Sequence, residues 1–578
     1  MLTESKKSGR RRLALLAFGL TFGLSVIVGQ LVRYQVLLHA QLREEAESLV
    51  RNERDLDSRR GSIVDTNYQL LAGDVIHWDI SVTPPFVVDA DLVADELSER
   101  LGLSRDQVYA ELVSNKPWVP LAKNVPQEIG EGLLALALPG VNCEPQPLRF
   151  YPQGDLFAHI VGIVNATGDG FYGIEGFYNS LLKGSRGQRV FWQDSGGREL
   201  PVPPIAENLP EDGASLVLTV DANIQLIVRE ELELALDLYG AESGTVIVME
   251  PRTGAILASV SYPTYDPNEF ADAEPELYAD PAVSSMWEPG SIFKIITWAA
   301  GLDTGTISPG TTFYDQGALE VGGRVIQNWD RQGHGLVTMS DGLIQSLNTV
   351  AAFISTSTGK DRFYTYLRRF GFGSLTEVNL ASEGPGMMKL PGDSNWFPSD
   401  LGTNAFGQGI AVTPIQMITA VAAVANDGMM MKPHIVRQFI VADESGQGHR
   451  VIQVEPMSSR LTISRETAET LKNMLVSVIE QGATQAQVPG YRVAGKTGTA
   501  QIPVPYGYDP SDTIASFVGF APADDPRFIV LIKLDRPQAS PWGSQTAAPT
   551  FRAIAERLFV YMQIPPDDIR LAQKQRGP

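Results

Sequence analysis

The chain has 578 residues, 43% of them apolar, and a formal net charge of −21. That length predicts several domains and that apolar fraction a folded protein, while the acidic balance, with basic residues clustered only at the N-terminus, excludes a nucleic-acid partner. A single cysteine, Cys143, excludes an intrachain disulfide, and six scattered histidines without CxxC or HExxH spacing predict no metal and no cofactor.

In chain order, Lys6, Lys7, Arg10, Arg11 and Arg12 precede an uncharged run from Leu13 to Val32, 20 residues long. As a helix that run spans roughly 30 Å, the thickness of one bilayer core. The basic flank predicts an N-terminus kept in the cytoplasm and a body outside it. Residues 1–33 carry a charge of +5, so the remainder carries −26. The run is too long for the core of a cleaved signal peptide, and a retained single-pass anchor is expected.

Val32, Val36, His39, Leu42, Ala46 and Leu49 then recur at helical spacing and predict an amphipathic stalk. Residues 60–72 read as two short strands around an Asp/Asn turn, and His77–Val82 as a further strand. Helical patterns follow near Asp89–Leu101 and Ser104–Val113, then loop and strand over 133–160. Gly184–Pro204 is rich in glycine, proline and polar residues. Beyond it come a strand at Ser215–Val220, a helix at Ile224–Leu238, and a hairpin of Gly244–Glu250 with Ala255–Ser261. Apolar helical stretches dominate near Gly342–Thr358, Arg362–Phe370, Pro414–Asn426 and Ala468–Glu480. Strands return at Arg492–Gln501, Ala515–Ala521 and Phe528–Leu534. The expected fold is therefore α+β, with a helical region inserted between an early hairpin and late strands of one antiparallel sheet. Six segments are expected: a cytoplasmic tail (1–12), an anchor (13–32), a stalk (33–54), a non-catalytic α+β module (55–210), a catalytic domain (211–564) and a loose polar tail (565–578).

The chemistry is concentrated at Glu288-Pro-Gly-Ser-Ile-Phe-Lys294. A Pro-Gly break followed by an apolar run predicts a helix of about three turns with Ser291 in its first turn. Lys294, three residues on, shares its face, so a hydroxyl and an amine lie together at the positive end of a helix dipole. That is a way to activate a nucleophile. Ser-x-x-Lys alone is weak, since Ser180…Lys183 and Ser357…Lys360 repeat it. Only Ser291 follows a helix-opening break, and only it has companions in order: Ser346-Leu-Asn348, then Lys496-Thr-Gly-Thr499 on a predicted strand.

That ordered triple resembles the class B penicillin-binding proteins, membrane-anchored peptidoglycan D,D-transpeptidases. The resemblance runs from the anchor to about residue 560. It includes Arg60-Gly61 and Asp65, Arg149-Phe-Tyr-Pro152, Gly173-Ile-Glu175, Leu218-Thr-Val-Asp221 with Gln225, Pro263–Asn268, and Gly407-Gln-Gly-Ile410 with Thr413-Pro414. Thr66 and Tyr68 depart from it, standing where the family usually has Arg and Gly. The resemblance implies Ser291 as nucleophile toward D-Ala-D-Ala, Lys294 as base, Ser346 as proton relay to the leaving D-alanine, and Asn348 as holder of the substrate amide and of Lys294. It implies Lys496, Thr497 and Thr499 near the substrate carboxylate, Gly498 where substrate lies against the strand, and an oxyanion site at the N–H groups of Ser291 and Thr499. It also implies stem peptides of lipid-linked nascent glycan as substrate, β-lactams as acylating inhibitors, and a partner among the shape-elongation-division-sporulation (SEDS) glycan polymerases, at the cytoplasmic membrane. Gly333-His-Gly335 and Ala547-Ala-Pro549 with Phe551 look more like division-type than elongation-type members. A carboxypeptidase, a β-lactam hydrolase and a non-enzymatic scaffold remain as alternatives.

Overall fold

The computed structural model describes residues 2–192, 200, 202, 206–443, 448–504 and 507–576; most of the second half of the Gly/Pro-rich stretch lies outside them. Two compact units are formed, Met1–Arg59 with Gly184–Asp212, and Arg60–Lys183 with Gly213–Pro578.

The first unit begins with the apolar N-terminal helix. Helix Leu2–Val32 passes through a π-helical turn, Arg33–Leu37, into helix His39–Val50. Within it Arg10–Leu37 is long and apolar enough to cross a membrane. Helix His39–Val50 thus continues that apolar helix, with the π turn as the interruption. Strand Arg51–Leu56 pairs antiparallel with Gly187–Trp192, which pairs with Ala206–Asn208.

The second unit holds everything else, Arg60–Lys183 together with Gly213–Pro578. The reason is a shared sheet. Strand Ile63–Val64 runs parallel to Ser215–Leu218, which pairs antiparallel with Val436–Ala442 from far along the chain. Helix Gln127–Ala135 overlaps the loop and strand expected over 133–160 only at its last three residues, and Val141–Phe150 is a strand on Leu70–Val82. Several residues that carried the family resemblance are structural here. Glu175, fully buried, accepts from Arg60 Nε at 2.7 Å and from Arg149 Nε at 2.7 Å, while Arg149 Nη1 reaches Asp74 Oδ1 at 2.9 Å. Asp65 accepts from the N–H groups of Asn67 and Gln69 and, through Oδ2, from Ala222 N. Tyr68 has φ +64, the left-handed region that favours glycine, and its hydroxyl donates to Gln438. Thr66 Oγ1 accepts from Arg437 Nη1 at 2.8 Å, which ties the turn after Ile63–Val64 to strand Val436–Ala442.

Breaking the Glu175 cluster has a large expected cost. Glu175→Ala leaves two buried guanidinium groups facing each other without their shared carboxylate. A loss of about 3–5 kcal/mol in unfolding free energy is expected. Denaturant or thermal unfolding of the two proteins checks it; a change under about 1 kcal/mol contradicts this account.

The catalytic part is a sheet between two helical layers. Its strands are β1 (Ser243–Met249), β2 (Ile256–Tyr262), β3 (Ala494–Val504), β4 (Gly507–Ala521) and β5 (Phe528–Asp535), in the order β2-β1-β5-β4-β3, all antiparallel. The early hairpin and late strands therefore share one sheet, as expected. Both faces are buried, which is why Phe528–Leu534 reads as an unbroken apolar run. Val246, Val248, Val530 and Ile532 face helices α1 (Ala222–Tyr239) and α6 (Ala547–Tyr561). Ile247, Met249, Ile529 and Leu531 face the inserted helices, among them α2 (Lys294–Asp303), α3 (Asn348–Thr358), α4 (Pro414–Ala425) and α5 (Arg465–Ser477). Each such side chain, fully buried, contributes about 1.5–3 kcal/mol. All of α4 is buried, and a Thr413/Gln416 capping box with Pro414 starts it. The tail expected to be loose forms helix Asp567–Arg576. Its start is fastened by Arg492 N donating to Asp567 Oδ2 at 2.7 Å and by Asp567 N donating to Gly490 O, polar contacts that no hydrophobic pattern announces.

Candidate active site

Ser291 lies on a 3-10 turn, Gly290–Phe293, and α2 begins only at Lys294. This tightens the sequence expectation. In a 3-10 turn residues i and i+3 eclipse one another, so Lys294 stands directly along the helix axis from Ser291. The turn is pinned from two sides. Glu288 accepts from Gly409 N at 2.9 Å and from the Tyr508 hydroxyl at 3.0 Å. Gly407 permits the approach of Gly290, because a Cβ on Gly407 would fall 2.4 Å from the Gly290 carbonyl oxygen.

The stretch Gly342–Thr358, which reads as one helix, is two. Helix Met339–Ile344, opened by a Thr338/Asp341 capping box, stops, and α3 restarts at Asn348. Ser346 in the break has φ +59, a conformation costing a non-glycine residue on the order of 1–3 kcal/mol. A buried polar network holds it there. Thr349 Oγ1 donates to Asp315 Oδ1 at 2.9 Å, Asn328 Nδ2 donates to Asp315 Oδ2 at 2.7 Å, and Thr349 N donates to Asn328 Oδ1 at 3.2 Å. Asn348 Nδ2 donates to Gln327 O at 3.0 Å, which turns its Oδ1 toward Lys294.

Lys294 is completely buried. Its Nζ lies 2.6 Å from Ser346 O, 2.8 Å from Asn348 Oδ1, 3.1 Å from Ser291 Oγ and 3.2 Å from Ser346 Oγ. Burial first, and the charge of Lys496 second, push its pKa well below the usual lysine value. Lys496 Nζ reaches Ser346 Oγ at 3.0 Å and Thr497 O at 3.3 Å, and burial lowers its pKa to about 7. Ser346 Oγ is therefore shared between two lysines, with Ser291 on the far side of one of them.

Lys496–Thr499 lies on β3, the edge strand, beside a cleft of about 880 Å³. Ser291, Ser346, Asn348, Lys496, Thr497, Gly498 and Thr499 line it; Lys294 lies beneath. Gly498 has a packing reason that the sequence does not disclose. A Cβ there would meet Ser516 Oγ at 2.4 Å and Ile292 at 3.0 Å, forcing β3 away from the nucleophile turn. Thr499 Oγ1 accepts from Gly543 N at 3.2 Å.

The other two Ser-x-x-Lys copies go elsewhere. Lys183 Nζ pairs with Asp169 at 2.6 Å, and Ser357 lies in the last turn of α3 while Lys360 opens the next helix. The motif residues Ser291, Ser346, Asn348 and Lys496–Thr499 come together at the cleft, and Glu288, Asp315, Asn328 and Gly543 support it from outside those motifs. Glu288 abuts the motif and was within reach. The others act through the fold and carry no local pattern.

Residues 244–556 match the family described as penicillin-binding protein transpeptidase domain, and residues 55–218 the penicillin-binding protein dimerisation domain. Stage V sporulation protein D of Bacillus subtilis is 33% identical over 547 residues, covering 93% of this chain and 84% of that protein. Peptidoglycan D,D-transpeptidase FtsI of Escherichia coli is 27% identical, covering 97% and 94%. Penicillin-binding protein 3 of Mycobacterium tuberculosis, crystallised with aztreonam, superimposes with a TM-score of 0.69 at 28% identity, covering 89% and 98%. With a buried lysine under a half-buried serine beside this sheet, such likeness defines a serine acyltransferase of the penicillin-binding type. The two matched domains narrow it further: the chain belongs to the class B penicillin-binding proteins.

Proposed function

We propose that Ser291, Lys294, Ser346, Asn348 and Lys496 carry the chemistry of this D,D-transpeptidase, in the roles that follow. The observation that carries the assignment is the set of partners around Lys294. A neutral amine has two N–H donors and one lone pair. The two nearest atoms, Ser346 O and Asn348 Oδ1, only accept, and they take both donors. The lone pair is left for a hydroxyl, and Ser291 Oγ lies 3.1 Å away. Lys294 thus receives the Ser291 proton as Oγ attacks the carbonyl between the last two D-alanines of a stem peptide. Ser346, between the two lysines, passes a proton to the departing D-alanine amine. The N–H groups of Ser291 and Thr499 stabilise the oxyanion. Lys496 meets the substrate's terminal carboxylate with the Thr497 and Thr499 hydroxyls. β3, unpaired on one side, receives the peptide as an added strand. A side-chain amine of a second stem peptide then displaces Ser291 and forms the crosslink; β-lactams acylate Ser291 and remain.

The basic flank and apolar helix support a single-pass anchor in the cytoplasmic membrane, N-terminus inside. The full-length likeness to FtsI and the Gly333-His-Gly335 segment support septal work, with a SEDS-family polymerase supplying glycan.

Labelling with a fluorescent penicillin tests the assignment. Ser291→Ala is expected to lose the label entirely, while Ser180→Ala and Ser357→Ala keep it. Labelling that survives Ser291→Ala sinks it.

A further inference from the structure

Two exposed indoles meet across the mouth of the cleft. Trp329 is 57% and Trp542 40% exposed, yet their ring centroids are 5.5 Å apart at 69°. They stand on opposite walls, Trp329 on the loop after strand Arg324–Gln327 and Trp542 on the loop between β5 and α6. Each hangs from a rigid mount. Trp329 follows Asn328, which is buried against Asp315, and its Nε1 donates to the carbonyl of Gln345, the neighbour of Ser346. Trp542 precedes Gly543, whose N–H donates to Thr499 Oγ1 and whose Cα is so close to β3 that a Cβ would fall 2.3 Å from Gly498 O. The Trp542 backbone is thus fixed to β3 and the Trp329 ring to the carbonyl beside Ser346, while both indoles remain exposed at the mouth.

We propose that Trp329 and Trp542 are specificity-determining residues that decide whether an amine or water takes the acyl group from Ser291. The inference rests on the transpeptidase reading of the site. At the acyl-enzyme stage two nucleophiles compete. With an amine, the ester bond between the acyl carbon and Ser291 Oγ breaks, a C–N bond forms, and the amine's proton ends on Ser291 Oγ by way of Lys294. With water the same ester bond breaks, but a C–O bond forms and the product is a free acid. Water at about 55 M has an overwhelming concentration advantage, so a crosslinking enzyme must restrict it. An edge-to-face aromatic contact favours the closed arrangement only roughly two- to tenfold, weak enough to open on each turnover. An alkyl-ammonium group is drawn to indole faces, parts the pair by replacing one ring contact with its own, and releases its ammonium proton to solvent at the cleft mouth, so that the neutral amine attacks. Water makes no such exchange. The favoured acceptor is therefore a primary amine at the end of an aliphatic chain.

The test uses the full chain in detergent, an N-acyl-D-alanyl thioester as donor, and Nα-acetyl-lysine amide as acceptor. The ratio of amide to free acid depends only on the fate of the acyl-enzyme, not on how fast it forms. Trp329→Ala and Trp542→Ala are each expected to lower that ratio at least about fivefold, and the double variant no further than either single one, because one contact is lost in all three. Trp329→Phe and Trp542→Phe are expected to recover at least half of it. A ratio unchanged in both alanine variants overturns the proposal, as do two independent, multiplying effects. Absence of acyl transfer to either nucleophile in the unaltered protein overturns instead the transpeptidase reading beneath it.

Discussion

Lys294→Met is expected to slow acylation of Ser291 by penicillin 10²–10⁴-fold, the range a positioned general base supplies. Methionine keeps the volume and straight chain but has no lone pair basic enough to take the serine proton. It also leaves Ser346 O and Asn348 Oδ1 without their donor, while removing a cation that burial penalises; these effects oppose one another, so the fold survives to be assayed. Lys294→Arg sharpens the result. Arginine keeps a positive charge beside Ser291 and is not deprotonated in proteins, so it separates a base from a fixed charge. Arginine that restores acylation to within about tenfold of the original would sink the base role. The pH dependence has a determined sign. Burial and the Lys496 charge hold the Lys294 pKa down, so acylation rises as Lys294 loses its proton. Burial holds Lys496 at about 7, so in the free enzyme acylation falls as pH rises through that value and the carboxylate-binding charge is lost. Stopped-flow acylation across pH 5–10 measures both limbs. A bound carboxylate favours charged Lys496, so the falling limb moves to higher pH at saturating substrate.

The floor of this site was legible in the sequence because its residues sit in short motifs on regular elements. Ser291 and Lys294 share one turn, and Lys496 to Thr499 share one strand; in each case local geometry suffices. Ser346 is different. Its motif is local, but its conformation is not: an apolar helical pattern runs straight through Gly342–Thr358, and the break appears only because Asp315 and Asn328, on other segments, capture Thr349. Propensity reads the local preference and a buried polar network overrides it. The same holds for strand pairing. The mixed short elements of 55–210 are legible locally, but Ile63–Val64 joins a sheet whose other members include 215–218 and 436–442, a pairing set by long-range register. Glu175 was noticed only through family likeness. Its reason, two buried arginines, is a contact between residues 60, 149 and 175 that no window along the chain contains.

The other large effect combines gains and losses. Lys496→Met is expected to abolish useful acylation and at the same time to stabilise the protein. Lys496 is 1% exposed, and its partners among the described residues, Ser346 Oγ and Thr497 O, are both uncharged. Its charge is therefore buried without a counter-charge, and its pKa falls to about 7 in the folded chain. In the unfolded chain it lies near 10.4. Between these values the unfolded state binds more protons, so this lysine makes stability rise with pH from about 7 to about 10. At pH 7 and below, the fold carries most of the penalty, at most about 4–5 kcal/mol for a shift of that size. Methionine carries none of it, and a gain of at least about 2 kcal/mol is expected at pH 7 after loss of the two hydrogen bonds. Unfolding curves for both proteins at pH 7 and pH 10 read the sign directly: the gap should shrink as pH rises, because the unaltered protein recovers its own penalty. A methionine variant less stable at pH 7, or a gap independent of pH, would mean that Lys496 is not held in the site at the expense of the fold. The energetic logic matches that of Ser346, held at positive φ a few ångströms away. Both groups are kept in costly states by a scaffold stable enough to impose them, and a carboxylate bound as proposed would supply Lys496 with a counter-charge.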